Sequence, residues 1–154
     1  MFIVPLLGMC QAPKGVKRII EYRYGIDDNW NIKDQGYKEV VKCYDKKGLK
    51  TEEITFDQKG DTLFVSKYDY DSLMRCYRIR KYNGHGILIE DNNATQNASG
   101  KLIPFIVRDH PSMSCNSTNN QCKFDKRGNR IEMIVFDEST RKNLYKVKYE
   151  YLFW

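Results

Sequence analysis

Hydrophobic and polar positions alternate along most of this chain, in short runs broken by polar turns. From Tyr44 onward the breaks become regular. Tyr44-Asp45-Lys-Lys-Gly48 is followed by Phe56-Asp57-Gln-Lys-Gly60, by Tyr68-Asp69-Tyr70-Asp71-Ser72 and by Tyr82-Asn83-Gly-His-Gly86. The unit returns as Phe124-Asp125-Lys-Arg-Gly128 and, altered, as Phe136-Asp137-Glu-Ser-Thr140. Asp or Asn at the head of a turn accepts hydrogen bonds from the backbone that follows, and Gly adopts the positive φ that closes it. The spacing predicts type I turns inside three-residue hairpin loops with a G1 bulge, formed by Asp45 with Gly48, Asp57 with Gly60, and Asp125 with Gly128. The stretches between are rich in Ile, Val, Thr, Phe and Tyr, which suit strands. Helical periodicity is absent over any useful length. The expected fold is all-β: an antiparallel meander of hairpin repeats, its sheet curled on itself or packed in two layers.

Strands are expected at Val16–Tyr24 and Tyr37–Tyr44, through the repeats, and again over Leu102–Arg108. A loop that sets Asp45 opposite Leu49 keeps even-numbered residues on one face. That face would carry Val40, Tyr44, Ile54, Phe56, Phe64, Tyr68, Cys76 and Tyr82. Val41, Leu49, Leu63, Val65, Tyr77 and Ile79 would share the other face. The last turn, with Thr140 in place of Gly, is expected to change this parity. The final strand then presents Tyr145, Val147, Tyr149, Tyr151 and Phe153 together and should be central or well covered, with Trp154 closing the sheet. Trp30, in the polar stretch from Gly25 to Gly36, is expected to lie as a lid on the core.

Tyr70-Asp71-Ser72-Leu73-Met74-Arg75 resembles the YD motif of RHS/YD-repeat proteins, with Met74 where that family has Gly. Tyr44-Asp45-Lys46-Lys47-Gly48 and Phe124-Asp125-Lys126-Arg127-Gly128-Asn129-Arg130-Ile131 look like the same unit. So do Glu21-Tyr22-Arg23-Tyr24 and Tyr149-Glu150-Tyr151. The likeness covers about half the chain and is similar to small YD-like β-proteins of Bacteroidota that carry lipoprotein-type leaders. It implies hairpin repeats. The toxin-enclosing shell of the large members does not carry over to 154 residues.

Met1-Phe-Ile-Val-Pro-Leu-Leu-Gly-Met-Cys10 is apolar and uncharged. It resembles the end of a lipoprotein signal in which Cys10 would be acylated, although the basic n-region is missing and Met9 stands where a small residue is preferred. The alternative is a strand or arm tucked onto the sheet. The chain thus divides into a leader-like segment and linker, 1–15, and one β-domain, 16–154. Cys43, Cys76, Cys115 and Cys122 are an even set, and Cys115 with Cys122, flanking a polar loop, is the best disulfide candidate.

The formal net charge is +6, which invites a polyanion. Yet acidic residues interleave with the basic ones, so a dedicated nucleic-acid surface is the third choice among partners. Candidate chemistry is sparse. His85 and His110 are the two histidines. Arg108-Asp109-His110-Pro111-Ser112 places triad residue types side by side, where they diverge instead of converging. Cys115, Cys122 and His110 fall short of four zinc ligands. No cofactor, metal or catalytic residue is expected. The leader-like segment and the resemblance imply export to the cell envelope and membrane contact through a lipid anchor, and the tyrosine-rich, cationic composition suits a non-catalytic binding or scaffolding module with a protein or glycan partner. The alternative is an immunity-type protein that neutralises a toxin, and the alternative location is the cytoplasm.

Overall fold

The computed structural model describes residues 12–107, 115 and 118–154. Nine strands form one open sheet, with every neighbouring pair antiparallel. They are β1 Val16–Tyr24, β2 Tyr37–Tyr44, β3 Lys50–Phe56, β4 Thr62–Tyr70, β5 Cys76–Asn83, β6 Leu88–Asn93, β7 Asn120–Phe124, β8 Arg130–Phe136 and β9 Asn143–Phe153. The order across the sheet is β6-β5-β4-β3-β2-β1-β9-β8-β7. The first and last strands therefore pair inside the sheet, with five strands on one side of them and two on the other, and β6 and β7 are the two edges. No second layer packs on the sheet among the described residues. The expected strand over Leu102–Arg108 is reduced to isolated bridges, Gln96 with Leu102 and Cys76 with Phe105, and Arg108 lies outside the described residues.

The turn chemistry is local and repetitive. Asp45 Oδ1 accepts the backbone N–H groups of Lys47 and Leu49 at 2.8 and 2.9 Å. The same pair of bonds reaches Asp57, Asp71, Asn83 and Asp125. Gly48, Gly60 and Gly128 close their turns at φ +82°, +92° and +81°. Two further copies occur where the preceding aromatic is absent: Asp27 through Trp30, after Ile26, and Asn97 through Gly100, after Gln96. Trp30, Met74 and Arg141 take the left-handed position without being glycine, at φ 62°, 60° and 59°.

Register is where the sequence misled. Asp45 N–H does bond the carbonyl of Leu49, and Tyr44 pairs with Lys50, but the next pair is Cys43 with Glu52. One residue is inserted as a β-bulge, and the two strands exchange parity. The same shift recurs at Leu63, Tyr77, Ile89 and Ile131. Even numbers therefore do not stay together. Val40, Tyr44, Phe64 and Tyr68 share one face with Ile79, whereas Ile54, Phe56 and Tyr82 lie on the opposite face with Val41 and Val65. The last hairpin reverses the expectation a second time. Its loop is one residue longer, Arg141 N–H bonding the carbonyl of Asp137, so the extra residue cancels the bulge. Met133 and Val147, both odd, are partners.

β9 is an interior strand, covered on both sides by β1 and β8, as its apolar odd positions required. Two clusters make the core. Val16, Ile19 and Tyr44 pack with Ala12, and Met133, Val135 and Val147 pack together; Tyr149 leans on both groups. Trp154 does not close the sheet. It lies at the end of this strand and is 56% exposed, and Trp30, at 40%, is not a lid on the core.

Candidate functional surface

Strand direction gives the sheet two ends. Here the lower end is the one where β1 starts and β9 finishes. Four segments meet there because β2, β1, β9 and β8 are neighbours: the arm Ala12–Gly15, the turn after β2, the turn before β8, and the C-terminal residues. Ala12 is buried and its N–H bonds the Gly48 carbonyl at 3.3 Å. Trp154 N–H bonds the Gly15 carbonyl at 3.0 Å. The ammonium groups of Lys17 and Lys46 stand 5.0 and 5.7 Å from the centroid of the Trp154 ring. Arg127 lies 5.0 Å from the Phe153 ring. Leu152, Phe153 and Phe124 are exposed beside them. The carboxylates of these four segments, Asp45 and Asp125, are occupied by their own turns. The Asn129 amide, followed by the backbone N–H groups, holds the Asp125 carboxyl below its ordinary value.

The wing formed by β3 to β6 is charged in a different way. Arg80 binds Asp69 at 2.8 Å, Arg78 binds Asp91 at 2.6 Å, and Lys81 and Arg75 bind Glu90 and Asp71 at 3.3 and 2.7 Å. These are cross-strand pairs or turn pairs, and they neutralise the wing in place. The Arg78 hydrogen bonds lower the Asp91 carboxyl, and the backbone and side chain of Arg75 lower that of Asp71. Between wing and core sits a buried pair. Lys42 Nζ donates to Glu21 Oε1 at 2.6 Å. Burial pushes the Glu21 carboxyl up, opposed by Lys42.

Groups capable of chemistry are scattered. A hollow of about 320 Å³ is lined by Gly25, Lys33, Gln35, Gly36, Tyr37 and Gln58, a set with neither a carboxylate nor a nucleophilic thiol. No group of three His, Cys, Asp or Glu side chains is placed to share a metal ion among the described residues. Cys115 and Cys122 form a disulfide, with Cα atoms 5.8 Å apart. Cys43 and Cys76 are free, and burial raises the Cys76 thiol, which makes it a poor nucleophile. Cys10 and His110 lie outside the described residues. No helix among the described residues is long and apolar enough to cross a membrane.

Sequence reasoning missed the lower end. Its cations come from three separate stretches of chain, and the pairing of β1 with β9 brings them together at the end of β9. The available signal was a repeated one: Lys46-Lys47 and Lys126-Arg127 occupy the same two middle positions of the turn unit. No protein-family model matches the chain, and no characterised protein matches it in sequence.

Proposed function

We propose that this chain is a non-catalytic binding or scaffolding module of the cell envelope, built on YD-like hairpin repeats and anchored through a lipid on Cys10. The observation that carries the binding role is the imbalance of apolar surface. Among the described residues ten hydrophobic side chains are buried, whereas seventeen large ones are exposed. The exposed set concentrates at the edges and ends of the sheet, including Ile87, Leu88 and Ile89 on the β6 side and Leu73, Phe153 and Trp154 below. Exposed apolar surface of that extent marks contact with something else. The disulfide between Cys115 and Cys122 supports an oxidising compartment.

The test is the intact mass of the protein purified from its own cell, with and without reductant. The envelope reading expects a mature chain that starts at acylated Cys10, with the disulfide formed. Retention of Met1 with all thiols free would overturn it.

A further inference from the structure

The geometry points to the lower end of the sheet as a docking surface for an anionic phospholipid bilayer. This deepens the envelope reading, but it rests on a different observation, the separation of charge within the sheet. Lys14, Lys17, Lys46, Lys47, Lys126 and Arg127 are exposed at this end, and none of them forms an ion pair among the described residues. Five of the cations on β4, β5 and the turn between them, by contrast, are paired with acids. In these segments six cations face two side-chain carboxylates, both held in turns, and farther along the same end Asp71 is matched by Arg75. Surplus positive charge is therefore gathered on one end of the molecule. Each such cation adds to attraction by a negatively charged leaflet.

Charge alone would suit any polyanion. The apolar residues select the bilayer. Trp154, Phe153 and Leu152 are 56%, 41% and 39% exposed, and Phe124 is 52% exposed on the neighbouring hairpin. Trp and Phe flanked by Lys are suited to the headgroup boundary, where rings bury and ammonium groups stay with the phosphates. Leu152 offers no stacking plane to a nucleic-acid base, but it does gain from entering acyl chains. The surface also lies where an anchor would need it. Ala12, two residues after Cys10, is buried at this same end. The sheet would then stand on the bilayer with Trp154 down and Trp30, in the loop joining β1 to β2, away from it.

The two tryptophans make this testable on the full chain, produced without acylation. Trp30→Phe leaves Trp154 as reporter, and Trp154→Phe leaves Trp30. The probe is a vesicle of phosphatidylcholine with phosphatidylglycerol, or of phosphatidylcholine alone, each with and without brominated acyl chains. The expected result is sedimentation with the anionic vesicles only, with Trp154 shifted to the blue and quenched while Trp30 is unchanged. Lys46→Glu with Lys47→Glu, both in an exposed turn, should lower partitioning on the order of tenfold or more. Equal binding to neutral vesicles, equal quenching of both tryptophans, or no effect of the double variant would overturn the proposal. So would displacement of the protein from vesicles by an oligonucleotide at matched phosphate concentration. Because the protein carries no lipid here, a failure would leave the Cys10 anchor standing, and an unmodified Cys10 in the native protein would leave the patch standing.

Discussion

One row of side chains crosses seven strands of the sheet in direct register: Tyr151, Ile19, Lys42, Glu53, Ser66, Lys81 and Glu90. On β9 and β1 the row is apolar and packs into the core. From β2 outward it is ionic or polar and ends exposed on β6. The two regions share one backbone plan, with the same turn and the same bulge, and differ in what stabilises it. Around β1, β8 and β9 it is burial, each large side chain contributing about 1.5–3 kcal/mol. In the wing it is cross-strand ion pairs, which are worth little in solvent. The turn unit therefore sets the path of the chain but not its local stability. The wing is drawn from the less stable end of the molecule, and the core from the more stable one.

The sharpest way to break this comparison is at the boundary. Lys42→Met removes the partner of a buried Glu21 and should cost about 3–5 kcal/mol, read as a fall in the unfolding free energy. Most of that should return in the double variant Glu21→Leu with Lys42→Met. The loss should also depend on pH. A carboxyl whose folded value is raised contributes stability below its ordinary 4.5 and loses it as pH rises through the folded value. Without Lys42 the folded value rises further, so the deficit should shrink as pH falls through the raised folded values, above 4.5, and its charge-linked part should be gone below 4.5. A deficit that does not vary with pH would mean that lost packing, not charge, carries it.

Next in size is the contrast between regions. Met133, 1% exposed in the core, should cost about 3 kcal/mol as Met133→Ala. Ile79→Ala, half-buried in the wing, should cost about 1 kcal/mol. Equal costs, measured by denaturant titration, would show that the wing is as firmly packed as the core.

The smallest effects concern the turns. A Cβ at Gly128 would meet nothing within 4 Å, so Gly128→Val tests the backbone alone and should destabilise by about 1 kcal/mol or more. Met74→Gly does the reverse in the wing. It relieves a left-handed residue at φ 60° and should raise stability by up to about 1 kcal/mol. A melting midpoint unmoved by either substitution would mean that the positive φ does not govern these turns.

The sequence alone determined the turns and, through them, the strands. An Asp side chain and the N–H groups two and four residues later are close in the chain, so their bonds need no distant partner. The apolar odd positions of Tyr145 to Tyr151 likewise marked a strand covered by others. Parity was not legible in this way, because the bulge at Thr51, Leu63 or Tyr77 appears only when two strands are paired and one residue is left unmatched. The placement of β1 against β9 is a contact between the two ends of the chain, and no local signal encodes it. That single pairing builds both halves of the core. It also brings Lys17, Lys46 and Arg127 to the aromatic residues at the end of β9. The sequence supplied the charges, and only the tertiary structure gathered them.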